Sequence, residues 1–226
     1  IEPFQSSAGY ILSPLPYLAR LKEIAEKYDF LFVSDEIQNG MGRTGKLWAI
    51  EHAGVAPDLI AIAKSLCNGL PLSAVTGRQE IMDSWGPGAH SSTFTAYPTA
   101  CAGGIKVFEI FDREHIIEGA AKKGAHFLEG LQDLSEHHAS IGDVNGLGLY
   151  LSIELVKDRK TKEPAGEAAT WATSELLNEG VICIHSGYYY NRLCFAPPLV
   201  IEISEIDRAL QILDRVLTKM EQKFGI

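Results

Sequence analysis

Residues 57–75 read PDLIAIAKSLCNGLPLSAV. An apolar run, Leu59-Ile60-Ala61-Ile62-Ala63, ends in Lys64; the turn-prone Cys67-Asn68-Gly69 follows, and a second apolar run opens at Leu72. A short, nearly continuous apolar run bounded by turn signals is the pattern of a central strand in a parallel sheet, covered on both faces. The ammonium group at the end of such a strand needs a reason.

The same pattern recurs on either side. FLFVSDE (30–36) is an apolar run ending in acid, and PLSAVTG (71–77) repeats it. Residues 14–29 read as a helix, with Leu18, Leu21, Ile24 and Tyr28 at three- and four-residue spacing and Pro16 near the first turn. Strands alternating with helices predict an α/β layered domain with a parallel sheet. From Pro98 to about His138 the pattern is helical, with a break near Asp112-Arg113-Glu114. GLGLYLSIELV (146–156) follows as a strand after a glycine-rich turn, with Leu149, Leu151, Ile153 and Leu155 on one face. A helix over 166–178 leads into strands VICIH (181–185) and RLCFA (192–196). The last helix carries Ile206, Leu210, Leu213, Leu217, Met220 and Phe224 on one core-facing stripe. A boundary near residue 112 divides the chain into segments 1–112 and 113–226.

The bulk properties narrow the function. Of 226 residues, 46% are hydrophobic and 22% charged, which is ordinary for a globular protein. No apolar run approaches the ~18 residues of a membrane span. A formal charge of -9 argues against nucleic acid or an anionic membrane as the main partner, because phosphate binding favours basic patches. Cys67, Cys101, Cys183 and Cys194 show no CxxC spacing, so no metal site is expected; their apolar contexts suit buried free thiols in a reducing cytoplasm.

The loop GMGRTGK (40–46) fits most of a phosphate-cradling G-x-x-x-x-G-K-[ST] sequence. Position 47 is Leu, so the Mg²⁺-binding hydroxyl is absent, and the acidic strand precedes the loop rather than following it. A tight glycine turn is the better reading. Asp35 and Lys64 both close strands predicted to be parallel, so both emerge at one carboxyl edge, where ligands of open α/β sheets sit. They could form a structural ion pair there, or serve a cofactor that needs both. Pyridoxal phosphate is such a cofactor. Its aldehyde is held by a lysine amine as a Schiff base, and its ring nitrogen stays protonated beside a buried carboxylate. Its phosphate takes hydroxyl and backbone N–H donors, and HSSTFTAYP (90–98) offers Ser91, Ser92 and Thr93.

These stretches carry a resemblance. IEPFQSSAGYI, VSDEIQNGMGRTGKLWAIEH, PDLIAIAKSLCNGLPLSAV, GAHSSTFTAYPTACAG, GLGLYLSIELV and APPLVIE together resemble the class III pyridoxal-phosphate aminotransferases, the group of the ornithine and 4-aminobutyrate enzymes. The resemblance implies the fold-type-I α/β architecture, with 1–112 ending the cofactor-binding large domain and 113–226 forming a C-terminal α+β domain. It implies that Asp35 pairs with the pyridine nitrogen, Ile37 packs on a ring face and Gln38 bonds near the ring hydroxyl. Lys64 would hold the cofactor and shuttle the substrate α-proton. Thr93, with Ser92 beside it, would reach the cofactor phosphate of a neighbouring subunit, which makes a homodimer part of the site.

Departures from the family pattern are informative. Members are about twice this length, so the chain reads as a C-terminal portion. The phosphate loop and the ring-stacking aromatic would lie outside it. The usual glycine triplet after the lysine is Cys67-Asn68-Gly69. Ser7 stands where many members have a glutamate gating a substrate-binding arginine, and Cys194 stands at that arginine. Arg192, two residues earlier on the same strand face, is then the nearest candidate to hold a substrate carboxylate; the alternative makes it a surface residue at the strand entrance. The expected activity is amino-group transfer between an amine or amino acid and a 2-oxo acid. Decarboxylating transamination, racemisation and a catalytically inactive homologue are the alternatives, and the joint presence of Asp35, Gln38, Lys64 and Thr93 argues against the last.

Overall fold

A computed structural model describes all 226 residues. In chain order the elements are β1 (Phe4–Gln5), β2 (Ile11–Leu12), α1 (Leu15–Lys27), β3 (Val33–Asp35), β4 (Leu59–Ile62), β5 (Ala74–Gly77), α2 (Gln79–Met82), α3 (Pro98–Glu114), α4 (Ile116–His137), β6 (Ile141–Leu147), β7 (Tyr150–Asp158), β8 (Glu163–Pro164), α5 (Gly166–Asn178), β9 (Ile184–Ser186), β10 (Arg192–Phe195) and α6 (Ile203–Phe224). Short 3₁₀ turns occupy Ala49–Ala53 and Lys64–Leu66. The chain forms two compact units. The first comprises Ile1–Pro3, Ser13–Gly42 and Lys46–Ile117; the second comprises Phe4–Leu12, Arg43–Gly45 and Glu118–Ile226. The helical region breaks at His115, a left-handed C-cap, and the units part between Ile117 and Glu118.

In the first unit, β3 and β4 are parallel with Asp35 opposite Ala61. This register brings the carboxyl ends of the two strands side by side. β5 departs from the expected parallel arrangement and pairs antiparallel to β4, Ile62 opposite Ala74. The physical reason is the connection: residues 63–73 hold one 3₁₀ turn and no crossover helix, and a parallel return needs a much longer link. Burial also differs from expectation. On β4 only Ile62 is buried, and β5 is exposed along its whole length. The apolar start of FLFVSDE is not strand either: the Phe30 amide closes on Ala25 O at the end of α1, and Phe30 and Leu31 are exposed. The core of this unit is small. Leu18 and Ala25 of α1 pack on Phe32 and Ile50.

The second unit is better filled. Its sheet runs β6-β7-β10-β9, antiparallel throughout, with β8 added to β7. Leu151, Ile153 and Leu155 of β7 are fully buried with Leu193 and Phe195 of β10, Leu176 of α5 and Leu213, Leu217 and Met220 of α6. The expected α5 and the α6 stripe form as the spacing predicts. β6 went unrecognised in the sequence, and only the end of VICIH is strand. Gly148, at the β6–β7 turn, adopts φ +55, and a Cβ there would lie 2.3 Å from the Thr44 carbonyl carbon. Gly124 of α4 approaches from another side, where a Cβ would lie 2.1 Å from the Gly148 carbonyl carbon. The GMGRTGK segment is a series of turns followed by a short 3₁₀ turn, not the helix a nucleotide loop requires.

Candidate active site

Asp35 ends β3, and Lys64 opens the 3₁₀ turn two residues past the parallel neighbour β4. Lys64 adopts φ +48, the left-handed region that a lysine rarely occupies. Strain of this kind persists where the surroundings over-determine it, and it clusters at functional sites. Its Nζ donates to Gln38 Oε1, so two predicted cofactor residues meet directly. Asp35 is half-buried, and its Oδ1 accepts the Ile37 amide (3.0 Å). That bond closes the start of a turn that runs over Ile37 and Gln38.

The neighbouring acid behaves differently. Glu36 is 1% exposed. Its carboxylate accepts from Ser34 Oγ (2.9 Å), the Ala49 amide (2.8 Å) and the Ile50 amide (2.9 Å). Burial pushes its carboxyl above the ordinary range, against the pull of those three donors. The run FLFVSDE ends in two adjacent acids, Asp35 and Glu36. Strand alternation is the signal that separates them, because consecutive side chains leave opposite faces.

Asp58 also escaped notice. It is 4% exposed, accepts the Phe32 amide at 2.7 Å and pairs with Lys22 at 3.1 Å and Arg78 at 3.4 Å. Desolvation raises its carboxyl, but the Phe32 amide, Lys22 and Arg78 outweigh that and hold it below the ordinary range. It thereby joins α1, the start of β3 and the end of β5.

An open cavity of ≈ 480 Å³ adjoins the lysine, lined by Lys64, Leu72, Ser73, His90, Ser92 and Thr95 among others. Ser92 and Lys64 therefore share one cavity, and the Ser92 amide bonds Thr95 Oγ1 at 2.9 Å. Thr93 is exposed and does not line the cavity.

Ser7 and Arg192 belong to the second unit. Ser7 is exposed and its carbonyl accepts from Ser186 Oγ (3.0 Å). Arg192 is not at the surface: it is 5% exposed, which excludes the strand-entrance reading. Its Nε donates to Gly9 O (3.0 Å) and its Nη2 to Asp143 Oδ2 (2.8 Å), with Ser152 Oγ at 3.2 Å and Glu154 at 3.8 Å. Gly9 makes room for it, since a Cβ there would lie 2.4 Å from Arg192 Cδ. Cys194 is buried and lines a pocket of ≈ 630 Å³ with Tyr10, Ile184, Phe195, Ile212, Glu205 and Arg208. All four cysteines are free, and burial pushes the Cys183 and Cys194 thiols up to about 12.

Asp35 and Lys64 thus lie at the carboxyl ends of neighbouring parallel strands of an α/β sheet. The family profile described as aminotransferase class-III matches residues 1–217, and the chain belongs to that family. It is 36% identical over 222 residues to the 4-aminobutyrate aminotransferase GabT of Escherichia coli, covering 98% of this chain and 52% of that protein. It is 40% identical over 224 residues to the leucine/methionine racemase of Thermococcus litoralis, covering 98% of this chain and 49% of that one. Among solved structures, a transaminase from the marine bacterium Virgibacillus superposes with a TM-score of 0.93 at 32% identity, covering 99% of this chain and 53% of that chain. The fold is thus the fold-type-I architecture that the resemblance implied. The chain spans about half the length of the curated relatives it matches. No helix is long and apolar enough to cross a membrane.

Proposed function

We propose that this chain carries the pyridoxal-phosphate site of a cytoplasmic, homodimeric aminotransferase acting between an amine or amino acid and a 2-oxo acid. The observation that carries the reading is Lys64, held in a strained left-handed conformation beside Asp35 and bonded to Gln38. The donor set fits the cofactor: an amine for its aldehyde, a half-buried carboxylate for its ring nitrogen and hydroxyl groups for its phosphate. Pyridoxal phosphate, when bound, supplies an electrophilic carbon and an electron-withdrawing ring. Asp35 keeps a proton on the ring nitrogen through its charge. Ile37 excludes water from one ring face, and Gln38 orients the ring hydroxyl. Lys64 takes and returns the proton at the substrate α-carbon. Ser92 and Thr93, both exposed in this chain, are available to the phosphate held by a second subunit. The first unit then corresponds to the end of the large domain and the second to the small domain.

Arg192 is a weak carboxylate anchor on this reading, because Asp143 already holds its guanidinium. A substrate carboxylate would have to displace Asp143 from the buried Arg192 guanidinium. A second reading, racemisation or epimerisation of an apolar amino acid, is favoured by the 40% identity to a leucine/methionine racemase. Incubating the purified holoenzyme with L-leucine or 4-aminobutyrate, with and without 2-oxoglutarate or pyruvate, separates them. Amino transfer that requires the acceptor supports the main reading; D-leucine formed without an acceptor replaces it with the second.

A further inference from the structure

We infer that Glu36 is a positioning residue for the cofactor site: its buried carboxylate fixes the Asp35–Gln38 turn to the body of the first unit, so that Asp35 and Gln38 meet Lys64 in register. This rests on the pyridoxal-phosphate reading above and extends it to a residue that touches neither cofactor nor substrate.

The argument is geometric. Glu36 lies between Asp35 and the Ile37-Gln38 pair, and strand alternation sends its side chain to the face opposite Asp35. Its main chain continues the strand pairing one step beyond β3, the Glu36 amide donating to Ala61 O (2.9 Å). Its carbonyl accepts the Gly40 amide (3.1 Å), closing the far side of the turn. Gly40 has no room for a side chain, since a Cβ would lie 2.7 Å from that carbonyl oxygen. The Glu36 side chain then anchors the whole turn. Oε1 accepts from Ser34 Oγ and the Ile50 amide, and Oε2 accepts the Ala49 amide. All three hydrogen-bond partners of the carboxylate are donors, so the site demands an acceptor at both oxygens. Glutamine keeps the shape but sets an N–H against a backbone N–H. The strain then falls on the segment that carries Asp35 and Gln38.

The test compares the holoenzyme with Glu36→Gln and with Ser34→Ala, which removes one donor and leaves the carboxylate. Three quantities are read: the dissociation constant for pyridoxal phosphate, the pH midpoint of the visible absorption band of the bound cofactor, and the Tm of the cofactor-free protein. Positioning predicts that Glu36→Gln binds pyridoxal phosphate about tenfold more weakly or worse and shifts the pH midpoint. Ser34→Ala should move both in the same direction by less. A fall in Tm with unchanged affinity and midpoint in both variants overturns the proposal and leaves Glu36 a purely structural acid. If Glu36→Gln does not fold, Ser34→Ala decides by the same readouts. If the parent protein takes up no pyridoxal phosphate at Lys64, the functional reading fails and this inference falls with it; normal uptake with indifferent variants overturns this inference alone.

Discussion

Strands β5 and β10 are both four residues long, yet all of Ala74–Gly77 is exposed while all of Arg192–Phe195 is buried. The contrast extends to the units that contain them. The second unit packs helices α4, α5 and α6 on a sheet with a large apolar core, and even its arginine is paired inside. The first unit buries fewer apolar side chains, Leu18, Ala25, Phe32 and Ile50 in one cluster with Met41, Ile62, Leu66, Val107 and Phe111 elsewhere, and keeps Lys64 and Asp35 at the sheet's carboxyl end. On the proposed reading burial and chemistry are therefore separated: one unit supplies cohesion, and the other supplies the amine, the carboxylate and the hydroxyl groups.

The largest expected effect tests the chemical side of this division. On the proposed reading Asp35→Asn removes the charge that keeps the ring nitrogen protonated, and turnover should fall by roughly 10²–10⁴-fold, the loss of a charged partner at ~3–5 kcal/mol. Tm should hardly move. Near-normal turnover would make Asp35 structural and blur the contrast.

The cohesive side is tested by Leu151→Ala in β7, which opens a cavity among fully buried side chains. Denaturant unfolding should show a loss of about 2–5 kcal/mol, with cofactor affinity little changed in the protein that remains folded. A large change in affinity with unaltered stability would contradict the division.

Asp58 sharpens the comparison, because it is the first unit's own buried ionic anchor. Its carboxyl is held below the ordinary range, so its contribution is present above the unfolded value of about 4 and is lost as pH falls through the lower folded value. Asp58→Asn should cost about 1.5–3 kcal/mol near neutrality, and the difference from the parent should shrink in acid. A pH-independent cost would assign the effect to packing rather than charge. The smallest effect is expected from Val75→Ala in the exposed β5, within about 0.5 kcal/mol in the 226-residue chain. A loss as large as that of Leu151→Ala would show that β5 is covered in solution.

The sequence made some of this legible and not the rest, for physical reasons. Helices α5 and α6 were readable because apolar periodicity directly encodes a packed face. That Asp35 and Lys64 would emerge at one end of the sheet was readable because β3 and β4 are parallel and short enough to end together. The direction of β5 was not, since an apolar run has no polarity and only the length of the preceding link distinguishes the two senses. Arg192 was read as a free cation because its partner Asp143 is 49 residues away in the chain, on a strand that the glycines of VNGLG disguised. Glu36 looked like its neighbour because the donors that claim it, Ala49 and Ile50, are backbone amides with no side-chain signature.

The account turns on Lys64, and one experiment addresses it directly. The protein is loaded with pyridoxal phosphate, reduced with borohydride, digested and mapped by mass spectrometry. The pyridoxyl group should lie on Lys64, within the peptide containing DLIAIAKSL, and Lys64→Ala should leave no reducible adduct. Attachment to Lys46 or any other lysine, or an undiminished adduct in the Lys64→Ala protein, would contradict the account.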